Sequence, residues 1–515
     1  MKKVVSLLLA LLMVMGLAAC GAKQPAEEPV ADTPVVEEPA EEPVEEPAEE
    51  PMEAPTEEPS EEREHVTLSF YARCQEQVNQ DHVWGVLNEY LEEKLNTTVE
   101  WHFLGGTFSD KVSVMINSGE YYDAVWTSNW QNNYAANVGR GAYLDITELV
   151  KNYPAMYESM PEALWEGTKI DGAIYAVPCQ QIVARTPHMA VMTEYAEAFG
   201  MTREEQYERK NVVDYEDYLQ FCLDNYGARA AIPETSEWGL YCGYEFLNGQ
   251  KSGIAVKNDD PTCTVVNFYA TPEFKALCEE MVYLFNKGLI DSEAFENPEY
   301  TRAELISGRT SLKCGGTFKP GGEVEDSNSL GIQMRQTPHS TSFMTTGGIT
   351  TTLWGINAAC KYPERVMEVL ELLCTDAYVM NMMTYGIEGE NYTLNEEGCV
   401  ESSPDSGYMG TSWALGNVFL TYPQAGMPVT VWEETAELNA TADVSNLLGF
   451  NIDLSSVELE ITNVISVWEQ YKYVANGSLP VEETLAEFNE KLVVAGIDTL
   501  IAEAQAQVDA FLASK

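Results

Sequence analysis

From Val66 onward the spacing of apolar residues switches repeatedly between the two regular periods of the backbone, and that alternation restricts the folds open to the chain. Val66, Leu68 and Phe70 alternate as on a half-buried strand. Val83, Leu87, Tyr90, Leu91 and Leu95 then recur at helical spacing, with Asp81 placed to cap the helix. Val99, Trp101 and Phe103 alternate again, a second helix is expected near 108–118, and Ala124-Val125-Trp126 reads as a short buried strand. Strands separated by helices in this order predict an α/β fold with a mostly parallel, doubly wound sheet. About 450 residues share this folded part, more than one hydrophobic core serves, so two or more lobes are expected. Later helices have clear ends. Thr271 caps a run that starts at Pro272 and stops at Gly288, and Pro363 opens another. Val481, Leu485, Phe488 and Leu492 form one stripe; past Gly496, Ile497, Leu500, Ala504, Val508 and Phe511 form the next. These two make a helical C-terminal element. No internal repeat is visible in the folded part, which argues against solenoids and propellers.

The N-terminus is of another kind. Lys2 and Lys3 precede an apolar run from Val4 to Ala19 that ends in small residues, the pattern of a secretory signal peptide over 1–19. The run is shorter than the ~20 residues a membrane-spanning helix needs. Cys20 follows Leu17-Ala18-Ala19 directly, and this resembles the lipobox of bacterial lipoproteins. The resemblance implies cleavage before Cys20 and a diacylglycerol or palmitate anchor on its thiol. Residues 20–64 then form a Glu/Pro-rich tether: 21–64 hold 17 acidic residues against two basic ones and repeat Glu-Glu-Pro. Such a stretch builds no core, and fully extended it could reach on the order of 140 Å. This suits a tether crossing the wall of a Gram-positive bacterium, with the protein on the extracellular face of the cell membrane. The chain's net charge is −53, and its acidity continues beyond the tether. That balance disfavours nucleic acid and anionic lipid surfaces, so membrane attachment through the lipid anchor alone is expected.

Ten cysteines follow Cys20 without a Cys-x-x-Cys pair. Cys222, Cys278 and Cys374 occupy apolar positions, which fits small buried hydrophobes better than a disulfide framework. The five histidines show no helical metal-ligand spacing, and no metal or cofactor is expected. There is no Gly-x-Ser-x-Gly elbow and no Gly-x-x-x-x-Gly-Lys-Ser/Thr phosphate loop. A glycosidase needs only two placed carboxylates, and among 82 acids nothing marks a pair.

What does stand out is aromatic residues beside short polar ones. Trp126, Ser128, Trp130, Asn133 and Tyr134 are candidates for ligand contacts, at the strand end and in the loop where open α/β sheets bind ligands. Indole faces stack on the CH faces of sugars, and amides and hydroxyls bond to sugar hydroxyls. Trp354 and the pair Trp413 and Asn417 are similar candidates; Trp238 is weaker, with core packing favoured. Trp84, Trp101, Trp165 and Trp468 lie in regular stripes and read as core.

Three segments follow in order: Asp123-Ala124-Val125-Trp126-Thr127-Ser128, Gly141-Ala142-Tyr143-Leu144-Asp145-Ile146 and Gly172-Ala173-Ile174-Tyr175-Ala176-Val177-Pro178. Gly355-Ile356-Asn357-Ala358-Ala359 then precedes Tyr362-Pro363-Glu364-Arg365. Together they resemble the extracellular solute-binding lipoproteins of ABC importers, the group related to maltose-binding protein. Tyr385-Gly386-Ile387-Glu388-Gly389-Glu390-Asn391-Tyr392 and the tail around Ala495-Gly496-Ile497-Asp498 are similar to its LplA-like branch, which has a C-terminal domain of unknown function. The resemblance implies a periplasmic-binding-protein-like fold of two αβ lobes joined by a hinge. Lobe 1 would comprise 65–180 and 342–405, and lobe 2 would comprise 181–341 and 406–515 with the C-terminal helices. It also implies hinge closure on a ligand and delivery to the transmembrane subunits of an ABC permease, by a monomer without catalysis. Gln180 and Gln181 would stand at the crossing between lobes and suit a neutral hydroxylated ligand, and Glu388 is a further candidate. Relatives often carry an acid in the first-lobe loop where this chain has Trp130. The expected ligand is a carbohydrate, an oligosaccharide in particular. The alternatives are a peptide or amino acid, for which Arg140 and Arg185 are the nearest carboxylate partners, and a surface glycosidase.

Overall fold

The computed structural model describes residues 63–515 apart from 232, 234, 296 and 404–406. The signal peptide, Cys20 and nearly all of the tether lie outside the described residues. No described helix is long and apolar enough to cross a membrane.

The first sheet is built as the alternation demands. Strands Val66–Ala72, Thr97–Phe103 and Ala124–Thr127 pair in parallel, with the first between the other two. Helices Gln80–Leu95 and Phe108–Ser118 connect them. The first helix buries Val83, Trp84, Leu87 and Leu91. Asn79, in the left-handed region, precedes it, and Asp81 falls inside its first turn instead of capping it. Two further strands complete it, and only one of them, Leu353–Ile356, runs against the first three; Ala176–Pro178 is antiparallel to that strand and so runs with them. Leu353–Ile356 pairs with Ala124–Thr127 on one side and Ala176–Pro178 on the other. The sheet is therefore mixed: the chain returns from its second lobe into the middle of the first sheet, and a returning strand runs in whichever direction its crossing leaves it. Trp84 and Trp101 pack in this core against Phe103 and Phe70, and Trp165 is buried under Tyr157.

A second apolar core gathers on another five-stranded sheet, ordered Ile290–Asp291, Arg229–Ala231, Thr310–Thr317, Pro187–Met192 and Met334–Pro338. Helix Pro272–Asn286 is capped by Thr271, whose hydroxyl accepts from the Phe274 amide, and buries Phe274, Leu277, Cys278, Met281 and Leu284. Helices Glu458–Tyr471, Val481–Ala495 and Ile497–Ser514 close this core, with Trp468, Phe488, Leu492 and Leu500 fully buried. The side chains of Asn489 and Gln505 fix them to the body: Asn489 donates to the Tyr269 carbonyl at 3.0 Å, and the Val265 amide donates to Gln505 at 2.7 Å. The first core also takes in Tyr408, Ala414 and Leu415, contributed by the chain after its return.

Three crossings join the two cores, and they form a small sheet of their own. Phe343–Met344 lies between Ala184–Arg185, antiparallel, and Asp443–Val444, parallel. Asn439, one turn before the third crossing, binds the first. Its Oδ1 accepts from the amides of Val183 and Ala184 at 3.0 and 3.1 Å, and its Nδ2 donates to the Gln181 carbonyl at 2.8 Å. None of the ten cysteines from Cys74 onward forms a disulfide among the described residues, and eight of them are buried.

Candidate functional site

Strand Ala176–Pro178 leads straight into the first crossing, so the carboxyl ends of the first-lobe strands lie on the edge that meets the hinge. Open α/β sheets bind ligands at this edge. The turn after Ala124–Thr127 is shaped by Ser128, which is buried. Its hydroxyl accepts from the Gln131 amide at 2.8 Å and donates to the Gln131 carbonyl at 2.7 Å. Asn133 caps the next helix by accepting from the Ala136 amide. With the turn fixed at both ends, Trp130 projects outward and is 54 % exposed, although its indole nitrogen donates to the Thr351 carbonyl at 3.0 Å.

Thr351 and Thr352 gather the site from the other side. Trp126 Nε1 donates to Thr352 Oγ1 at 2.7 Å, and Gln181 Nε2 donates to Thr351 Oγ1 at 3.3 Å. The Trp126 ring is fully buried and stands edge-on to Trp130 at 5.6 Å and to Trp413 at 6.4 Å. It is a floor, and the half-buried Trp413 and the exposed Trp130 are the walls. Arg73, the first residue past strand Val66–Ala72, places its guanidinium between those walls, 5.1 Å from the Trp130 ring centre and 5.2 Å from that of Trp413. The structure thus brings together Trp126, Trp130, Gln181 and Trp413 and adds Arg73, which no sequence motif marks. The one signal available was its position as the first charge after an alternating strand.

The other candidates do different work. Tyr134 is buried and donates to the Thr168 carbonyl at 2.8 Å, so it packs the helix that follows the loop. Trp354 is buried inside the first sheet, and its nitrogen donates to the Leu415 carbonyl. Gln180 is buried and pairs by its backbone with the 416–418 segment, while its side chain donates to Ser159 at 3.2 Å. Asn417 is buried in the same place, donating to the Cys374 carbonyl and accepting from the Phe419 amide. Trp238 is fully buried in the second core, against Phe274 and Phe295. Glu388 is exposed in a turn closed by the Asn391 side chain, which accepts from the Ile387 amide. Arg185 donates to Thr317 at 2.9 Å and pairs with Glu237 at 3.0 Å, and Arg140 is exposed at the end of helix Tyr134–Gly139.

Two αβ lobes, three bound crossings and an aromatic rim at the strand ends define the fold of the extracellular solute-binding proteins. Within that fold the chain carries a distinctive tail: residues 446–513 match a family described as a domain of unknown function, DUF3502. Over 467 residues the chain is 26 % identical to a carbohydrate ABC transporter substrate-binding protein of Streptococcus pneumoniae serotype 4, covering 85 % of this chain and 89 % of the relative. Among solved structures it resembles the N-glycan transport solute-binding protein of Streptococcus pneumoniae, with a TM-score of 0.79, 23 % identity and coverage of 87 % of this chain and 99 % of that one. That protein in complex with Man5GlcNAc gives a TM-score of 0.69, again at 23 % identity and the same coverage. A human-milk-oligosaccharide-binding solute-binding protein of Bifidobacterium longum infantis gives 0.62 at 13 % identity, covering 87 % of this chain and 99 % of that one.

Proposed function

We propose that this chain is the extracellular binding component of an ABC importer, and that it captures a carbohydrate, an oligosaccharide by preference, and delivers it to a membrane permease. The observation that carries the reading is the exposed indole of Trp130 beside Trp413 and Gln181, at the strand ends that meet the hinge. An indole face left to solvent at that edge is the surface a sugar ring stacks on. The relatives named for carbohydrate and glycan binding support the same ligand class. The two lobes, divided as the sequence suggests except that the segment around Tyr408–Leu415 packs with the first and not the second, close by bending at the three crossings. Ligand binding shifts the open–closed balance, and the permease reads the closed form. The protein works as a monomer without catalysis, held to the outer face of the membrane through lipid on Cys20.

A thermal-shift screen against mono- and oligosaccharides, with peptides as controls, tests the reading. A ligand at 100 times its Kd stabilises the folded state by about 2.7 kcal/mol. A rise with one glycan class and none with peptides is expected. A rise with peptides alone would overturn the ligand class.

A further inference from the structure

Arg73 stands apart from the other cations near the strand ends. Arg185 has an acid and a hydroxyl of its own. Arg73 has neither: no hydrogen bond or ion pair reaches its guanidinium among the described residues, and its Nε is buried without a partner. The two terminal nitrogens are not buried, so they remain open to whatever lies at the rim. In a chain with 82 acidic residues against 29 basic ones, an arginine without a carboxylate is not explained by scarcity of partners. A guanidinium stacked between indoles is fixed in plane while its outer edge stays free, and this edge is a fork of N–H donors matched to two neighbouring oxygens. Burial lowers its pKa from the usual arginine value, and a ligand oxygen pair would relieve that cost.

We infer that Arg73 is a specificity-determining residue of the carbohydrate site, donating two parallel hydrogen bonds to an adjacent pair of oxygens on the sugar that stacks on Trp130. The pair is either two vicinal hydroxyls or the two oxygens of an acidic sugar's carboxylate. The inference rests on the carbohydrate reading and adds to it the one charged contact of the rim. Trp130 and Trp413 then act in a second way, holding the fork flat so that it meets the oxygens edge-on.

The test is calorimetric titration of the full mature chain, as wild type, Arg73→Gln and Arg73→Lys. The probes are a neutral mannose oligosaccharide, lactose, 3′-sialyllactose and an oligogalacturonate. Wild type must bind at least one of them; no binding to any would remove the carbohydrate reading, and this inference with it. For the glycan that wild type binds, Arg73→Gln is expected to weaken affinity at least tenfold. Arg73→Lys, which keeps the charge and the stem but loses the fork, should also fall by several-fold. Loss on the acidic probes, growing as salt is lowered, identifies a carboxylate. Loss on the neutral probes that is insensitive to salt identifies vicinal hydroxyls. Affinities within twofold of wild type for both variants would overturn the inference and leave Arg73 as a strut between two rings. Arg73→Lys preserves most of the packing, so it decides the matter even where Arg73→Gln lowers the melting temperature.

Discussion

The two lobes use their aromatic and basic residues in opposite ways. In the first lobe, Trp130 and Trp413 reach the strand ends and Arg73 sits between them without a hydrogen-bond or ion-pair partner among the described residues. In the second, Trp238 is enclosed by Phe274 and Phe295, Phe268 is surrounded by Tyr244, Phe246 and Tyr269, and Arg185 is held by Glu237. One lobe leaves indole faces and a guanidinium open at the rim, while the other directs the same residue types inward to hold a core and three C-terminal helices. Counts of aromatic residues therefore say little about a sugar site. What matters is whether the ring face is left over after packing.

The contrast can be broken most forcefully in the second lobe. Trp238→Ala should cost about 3–5 kcal/mol of stability, the usual range for emptying a large aromatic site in a core. Sugar affinity of the folded fraction, measured well below the melting temperature, should stay unchanged. A weakened Kd would mean that the second lobe's aromatics also serve the ligand. Next comes the junction: Asn439→Ala leaves the amides of Val183 and Ala184 without their acceptor and should cost about 1–3 kcal/mol. Faster hydrogen exchange at those two amides is the direct readout, and unchanged exchange would show that the crossing is held by its strand pairing alone. On the first lobe, Trp130→Ala should leave melting nearly unchanged and raise Kd about tenfold, the loss of one stacking contact. An unaltered Kd would remove Trp130 from the site.

The smallest effect concerns pH. Burial raises the Glu245 carboxyl to about 7, although the Ser445 hydroxyl donates to it at 2.5 Å and lowers it. Burial raises Glu280 to about 7 as well. A carboxyl with a folded pKa above its unfolded one holds its proton more tightly in the folded state. Its contribution is full below the unfolded value of about 4.3 and is lost as pH rises through about 7. Both groups belong to the second lobe, so its unfolding should be the more sensitive to pH. Glu245→Gln, neutral throughout, should show a shallower fall in Tm from pH 5 to 8 than wild type. Parallel curves would show that Glu245 stays ionised in the folded protein.

Much of this architecture was legible in the residues. The alternation from Val66 to Trp126 located three strands and two helices, because each buries one face and its period shows in the sequence. The caps at Thr271 and the prolines at 272 and 363 fixed helix starts for the same local reason. Strand Ala176–Pro178, which runs with the first three, and Leu353–Ile356, which runs against them, were less visible. Their direction is decided by where the chain crosses between lobes, which leaves no periodic trace. Among the site residues, Trp130 and Trp413 are exposed or half-buried, while Trp354 and Trp238 are buried, and no local pattern separates the two pairs. Gln180 and Gln181 are adjacent, yet the backbone pairing of Gln180 with the 416–418 segment turns one inward and leaves the other at the rim. Arg73 was missed because its meaning comes from two tryptophans, 57 and 340 positions away in sequence, that only the fold brings beside it.

The buried cysteines give each lobe a chemical clock. Cys74, Cys179 and Cys374 sit in the first core, and Cys222, Cys263 and Cys278 in the second. Burial raises the thiols of Cys74 and Cys179 to about 12 and that of Cys222 to about 11, so these three offer almost no thiolate to an alkylating reagent while their cores stay closed. Each thiol becomes reactive only when its own core opens. The order in which these six sites acquire label, read by mass spectrometry with and without sugar, would time the opening of one lobe against the other without a single introduced probe.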